Sequence, residues 1–242
     1  MLRALVQSKL WVALGAAVLC AETYSMCGEW LRWTMIVHVF FLTWVAYLFV
    51  ADENFPWRKR LVPMALTGVL VTFQGFEQLQ FPLMCAAIVL LYRMHWLPDS
   101  VLNRLELRKI PLMNNLVITG CWMILCHVWP LMAMGKSLHD YSLYMASNAC
   151  WIFALSLGED FILDEPSPDV TLRFLGRRLH RWVALLFVVM AMVLQVWNDT
   201  PYLGVWISLV ASFLLLAIMP YGKRTMLKSW LLDAVLMLRV WR

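Results

Sequence analysis

The sequence predicts an all-α polytopic membrane protein with about nine transmembrane helices in one bundle. Hydrophobic residues make up 62% of the 242 positions and charged residues only 14%, a balance outside the usual range of soluble globular domains. Apolar segments recur along the whole chain, with no soluble domain, linker or low-complexity run between them. Residues 1–242 are therefore predicted to form a single integral membrane domain.

Each apolar segment is long enough to cross a bilayer or nearly so, since a straight crossing needs roughly 20 predominantly apolar residues. The predicted spans cover residues 10–26, 33–50, 61–76, 81–93, 113–133, 141–158, 180–197, 202–220 and 226–241. The third and fourth are short, and losing both would leave the orientation of the other spans unchanged.

The basic residues indicate how these spans are oriented. With a cytoplasmic N-terminus, 16 of the 20 basic residues fall on the cytoplasmic side, in agreement with the positive-inside rule. These are Arg3, Lys9, Arg58, Lys59, Arg60, Arg93, Arg104, Arg108, Lys109, Arg173, Arg177, Arg178, Arg181, Lys223, Arg224 and Lys228, whereas the opposite face keeps Arg32, Lys136, Arg239 and Arg242. Topology therefore accounts for the basic excess, and we expect no nucleic acid partner.

The longest polar connections, at 51–60, 94–112, 159–179 and 221–228, all fall on the predicted cytoplasmic side. Irregular backbone at membrane depth is tolerated only where it lines a cavity, so we expect the chemistry at this end. The connection at 159–179 begins with Asp160 and Asp164, and two carboxylates one helical turn apart face the same way. Magnesium binds through one or two such carboxylates together with substrate phosphates.

Other intramembrane chemistry has less support in the sequence. The six Cys lack the paired spacing of a zinc or redox site. His38 and His127 lie within spans but form no ligand pair at helical spacing, and we expect each to be a satisfied interhelical hydrogen-bond donor. Asp233, in the middle of the last span, is expected to bond to another helix. No inverted repeat points to a transporter.

Four stretches resemble the UbiA superfamily of intramembrane prenyltransferases. The most specific is the Asp-x-x-x-Asp of Asp160 and Asp164 followed by Thr-Leu at 171–172 and Leu-Gly at 175–176, which is similar to the family's second Asp-rich loop. LRKIPLMNNLVITGCW at 107–122 resembles the entry to the fifth helix, and KSWLLDAVLMLRVW at 228–241 resembles the ninth helix with its buried Asp. LTWVAYLFVADENFPWRKR at 42–60 occupies the position of the first Asp-rich loop.

The resemblance implies an enzyme that moves a prenyl group from a prenyl diphosphate to a lipophilic acceptor inside the membrane. It implies Mg²⁺ as the cofactor, with Asp52, Asp160 and Asp164 as metal ligands and Asp160 and Asp164 as the catalytic pair. The implied partners are the prenyl diphosphate, the acceptor and membrane lipid. The residues expected to bind substrate are Asp52, Glu53, Asn54, Arg58, Arg60, Thr171 and Arg173.

The first loop departs from the family pattern, because its acids, Asp52 and Glu53, are adjacent. Adjacent residues on a helix point about 100° apart, so they do not present two carboxylates on one face. The alternative function is therefore a catalytically inactive UbiA-like membrane protein that acts as a binding or assembly subunit. No transit peptide is recognisable at the N-terminus, which favours a bacterial inner membrane.

Overall fold

The computed structural model describes residues 10–51, 67–69, 79–92, 110–160, 170–198, 202–219 and 226–240. Within these ranges the chain is helical and has no strand, which confirms the all-α prediction. The helices are α1 (Leu10–Met26), α2 (Trp33–Ala51), α3 (Gln80–Tyr92), α4 (Met113–Met123), α5 (Trp129–Ala133), α6 (Ser142–Asp160), α7 (Val170–Trp197), α8 (Leu203–Ile218) and α9 (Met226–Met237). A π-helical turn joins α4 to α5, and a 3₁₀ turn, Leu238–Val240, follows α9. Of the predicted span at 61–76, only residues 67–69 are described, and they are helical.

The start of α7 differs from the prediction. Hydropathy placed the span at 180–197 and assigned residues up to 179 to a polar connection, but the helix already begins at Val170. Hydropathy detects only the apolar part of a helix, whereas arginine is itself a good helix former. Thr171 and Arg173 therefore lie in a helical segment, which is separated from the apolar part by Gly176 with φ 68° and ψ 156°.

The π-helical turn Ile124–Val128 has a local cause in Pro130. Proline has no backbone N–H and its ring crowds the carbonyl four residues earlier, which is that of Cys126. The freed carbonyl oxygen of Cys126 instead accepts a hydrogen bond of 2.9 Å from the Thr23 hydroxyl of α1. The irregular turn thus ties α1 to the α4–α5 helix.

Two helices end in the same way at one end of the bundle. After α1, Gly28 adopts φ 66°, and the N–H of Glu29 bonds to the Tyr24 carbonyl at 3.0 Å. After α5, Gly135 adopts φ 68°, and the N–H of Lys136 bonds to the Leu131 carbonyl at 2.9 Å. Both are Schellman ends, in which glycine takes the left-handed conformation.

These two helix ends are joined by an ion pair of 2.8 Å between Glu29 and Lys136. Hydrogen bonding to Lys136 lowers the pKa of Glu29, and the same bond raises the pKa of Lys136. Arg32 adds a hydrogen bond of 3.3 Å to the Ala133 carbonyl. The connections after α1 and after α5 therefore lie side by side at one end.

Close helix contact depends on Gly15, and we predict that Gly15→Ala destabilises the protein by about 1–3 kcal/mol, as overpacking does. A Cβ at position 15 would lie 2.6 Å from Leu236 Cδ1 and 3.0 Å from Leu236 Cβ, so α9 would have to move. Gly120→Ala is the matched control, because a Cβ there meets nothing within 4 Å and alanine favours the helix by about 0.5–1 kcal/mol. Denaturant unfolding of the detergent-solubilised protein measures the free energy of unfolding of both variants. Equal changes in Gly15→Ala and Gly120→Ala would contradict the close contact at Gly15.

Two helices in the described part of the chain are long and apolar enough to cross a membrane, Met113–Ala133 and Phe174–Trp197. Three shorter apolar helices, Leu10–Met26, Trp33–Leu48 and Leu203–Ile218, fall below that length. The core helix of a soluble protein passes the same test of length and composition, so this finding indicates membrane helices only weakly.

Candidate functional site

The predicted acidic site falls largely outside the described residues. This applies to Asp52, Glu53, Asn54, Arg58, Arg60 and Asp164 entirely, and to the side chains of Asp160, Thr171 and Arg173. The backbone places Asp160 as the last residue of α6 and Val170 as the first of α7, and residues 161–169, which include Asp164, lie between them in the sequence. In the ranges that the structure describes, no three His, Cys, Asp or Glu side chains form a group that could hold a metal ion.

Tyr47, in the last turns of α2, is hydrogen bonded to α4, and α4 in turn packs against α6. Trp122 Nε1 donates a hydrogen bond of 3.3 Å to Tyr47 Oη, and the carboxylates of Glu159 and Asp233 lie within electrostatic range of the Tyr47 hydroxyl. We call Tyr47, Trp122, Glu159 and Asp233 the Tyr47 cluster. Its members come from α2, α4, α6 and α9, and Tyr47 and Glu159 lie near the end of the bundle where α2 and α6 terminate.

This arrangement brings together the starts of the two predicted loops. Tyr47 lies one turn before Ala51, the last residue of α2, and Glu159 directly precedes Asp160, the last residue of α6. The connections that begin at Asp52 and at residue 161 therefore leave the bundle at the same end.

Leu112, before α4, has a strained φ of 65°, a conformation that costs a non-glycine residue of order 1–3 kcal/mol.

The part of α7 that follows Gly176 carries a groove that we call the basic groove. Its lining consists of Arg177, Arg178, Arg181, Trp182, Leu185 and Ala217, and it encloses about 500 Å³. Arg181 donates from Nη1 to the Ala217 carbonyl at 3.4 Å and from Nη2 to the Met219 carbonyl at 2.5 Å, which fastens α7 to the end of α8. Arg177 and Arg178 are exposed residues.

A second polar cluster lies deeper in the bundle and was not predicted. Arg239, in the 3₁₀ turn after α9, is only 4% exposed, and Glu22 of α1 only 8%. Arg239 Nη1 donates to Glu22 Oε1 at 2.8 Å and to Asn148 Oδ1 at 2.6 Å. Its Nε donates to Ser208 Oγ at 3.1 Å, and its guanidinium carbon stands 3.8 Å from the ring centre of Trp151. We call these five residues the Arg239 cluster.

Hydrogen bonds extend the Arg239 cluster toward α5. Tyr144 donates to Glu22 Oε1 at 3.1 Å, and Thr23 Oγ1 lies 2.8 Å from His127 Nδ1. His127 is thus bonded across helices through Nδ1, as predicted, but its Nε2 has no hydrogen-bond partner among the described residues, so the prediction of a satisfied side chain is confirmed only in part. The prediction is wrong for His38, because it is fully buried and neither ring nitrogen has a hydrogen-bond partner among the described residues.

The Arg239 cluster is separate from the predicted acidic site. Asn148 precedes Asp160 by twelve residues on α6, a separation of about 18 Å at 1.5 Å per residue. The positive-inside pattern assigned Arg239 to the charges of the outer face, but its side chain is buried within the bundle. The ion pair joins residues 217 positions apart, so local spacing carried no signal for it apart from a lone acid at position 22 in an apolar segment.

No protein-family model, curated protein or solved structure matches this chain.

Proposed function

We propose that this chain is a UbiA-type prenyltransferase of the membrane, with about nine spans and a cytoplasmic N-terminus. The observation that carries the proposal is that α2 and α6 terminate at the same end of the bundle, with Tyr47 and Glu159 in their last turns. Two Asp-rich loops can act on one diphosphate only if they leave the bundle side by side. The electrostatic proximity of Tyr47 and Glu159 supports that arrangement.

The outward faces of the helices support placement in a membrane. On α7, Leu186, Val193 and Val196 are 56%, 46% and 64% exposed. A surface helix of a soluble protein presents charged or polar residues on its outer face. An outer face made of leucine and valine is suited to lipid, and the two helices long enough to span agree with this.

The C-terminal end of α6 fits a hard cation. The helix dipole is negative at this end, and acids placed there are unfavourable on their own, yet α6 closes with Glu159 and Asp160. A divalent cation relieves that accumulation of negative charge. Asp160 and Asp164 would hold Mg²⁺, with Asp52 from the first loop, and the ion would neutralise the leaving diphosphate.

In the proposed reaction the allylic carbon–oxygen bond of the donor breaks, and its electron pair leaves with the diphosphate. The acceptor then forms the new bond to that carbon and loses a proton. Trp122 is 7% exposed and hydrogen bonded to Tyr47, and in the proposed reaction these two rings would lie beside the reacting carbon. Aromatic faces stabilise a cation, and a dry interior protects it from water.

The test is binding and turnover of a prenyl diphosphate. Purified protein with Mg²⁺ and farnesyl or geranylgeranyl diphosphate is expected to bind the diphosphate and, with a lipophilic acceptor, to release inorganic diphosphate. Isothermal titration and a diphosphate-release assay measure the two steps. If the protein neither binds the prenyl diphosphate nor releases diphosphate, the proposed enzyme is refuted. Binding without release would favour the alternative function, an inactive binding or assembly subunit, which the adjacent acids Asp52 and Glu53 of the first loop also suggest.

A further inference from the structure

We propose that the basic groove, which follows Gly176 on α7, binds the phosphate headgroup of one anionic membrane phospholipid. The inference rests on the membrane placement in the proposed function but not on the transfer reaction. The groove lies outside the Tyr47 cluster and outside the Arg239 cluster, and neither of those clusters uses its arginines.

The groove has the charge and size of a headgroup site. Arg177 and Arg181 are four residues apart, and Arg178 and Trp182 are also four apart, so these side chains share one face of α7. Guanidinium groups bind phosphate oxygens through paired, charge-assisted hydrogen bonds. The volume of about 500 Å³ lies within the range of about 300–1,000 Å³ typical of small-molecule sites.

Arg181 fixes the floor of the groove. Its bonds to the carbonyls of Ala217 and Met219 hold α8 against α7, and Leu185, which is buried, completes an apolar base. Arg177 and Arg178 stand at the exposed rim. The groove thus has a basic rim and an apolar base. A ligand that places phosphate oxygens at the rim and acyl chains along the apolar side chains matches both.

The groove opens toward the surroundings of the bundle. Trp182, one of its walls, is 62% exposed, and Leu179 beside it is 53% exposed. Tryptophan is enriched at the membrane–water interface, and the apolar span Phe174–Trp197 continues directly from this turn. Gly176, with φ 68° and ψ 156°, kinks the helix one residue before Arg177. An occupant from the membrane therefore has direct access, which favours a phospholipid.

The experiment measures binding of the first phosphatidylglycerol molecule to the delipidated full chain in detergent by native mass spectrometry. The variant is Arg177→Gln with Arg178→Gln, since Arg181 also holds the helices together. Each basic residue near anionic lipid contributes about 1 kcal/mol, which is about fivefold, so the pair is expected to weaken binding about 30-fold. Arg32→Gln with Lys136→Gln removes the same charge at the opposite end and is expected to change binding less than about twofold by the same argument.

Three outcomes would overturn the headgroup site. Unchanged phosphatidylglycerol binding in the Arg177/Arg178 variant would show that the groove is not used. An equal loss in the Arg32/Lys136 variant would show diffuse attraction to net charge. Displacement of phosphatidylglycerol by geranylgeranyl diphosphate at equal concentration would assign the groove to the prenyl donor. Failure of prenyl diphosphate to bind at all would refute the proposed enzyme and leave this expectation unchanged.

Discussion

Arg239→Met is expected to destabilise the protein by about 3–5 kcal/mol, because removing one partner of a buried ion pair leaves the other charge uncompensated. The partner left behind is Glu22, 8% exposed, which would keep only the 3.1 Å bond from Tyr144 among the contacts described above. Asn148 and Ser208 would also lose a donor. Unfolding of the purified protein by denaturant, followed by circular dichroism, measures the loss.

The double variant Glu22→Gln with Arg239→Met separates charge from packing. An apolar or neutral replacement of both partners of a buried pair is often neutral, so we expect the double variant to recover much of the stability lost in Arg239→Met. Matched losses in the single and double variants would mean that packing of Arg239 on Trp151, and not the ion pair, supplies the stability.

Asp160→Ala and Asp164→Ala are each expected to lower prenyl transfer by about 100-fold or more, because charge stabilisation by a bound metal supplies several kcal/mol to the transition state. The reduction should appear in diphosphate release at saturating donor, and magnesium titration should show weaker metal dependence in each variant. This expectation rests on the proposed function.

Asp140→Ala is the control for these two variants. Asp140 is exposed in the connection before α6, at the end of the bundle opposite to Asp160. Its replacement removes one negative charge, as each of the other two substitutions does. We expect wild-type turnover in Asp140→Ala. Full activity in both Asp160→Ala and Asp164→Ala would remove these residues from the site, whatever the activity of the control.

The helices could be predicted closely from sequence, for local reasons. Apolar length and the glycines that end α1 and α5 act within a few residues, so the predicted spans 10–26 and 113–133 coincide with α1 and with the whole of α4–α5. The early start of α7 was missed, because the arginines around Gly176 hide a helix from a hydropathy criterion. The acidic loops were found as sequence patterns, and the resemblance supplied their chemistry.

The sequence by itself determined an all-α chain, the bounds of most of its helices and a concentration of acids at the end of α6. Only the tertiary structure decided which charges are buried and which helix ends adjoin. Glu22 and Arg239 are 217 positions apart, and Tyr47 and Glu159 come from helices that are distant in sequence. Helix formation follows from hydrogen bonds and side chains a few residues apart, whereas these pairs exist only after the bundle packs, so no local pattern encodes them.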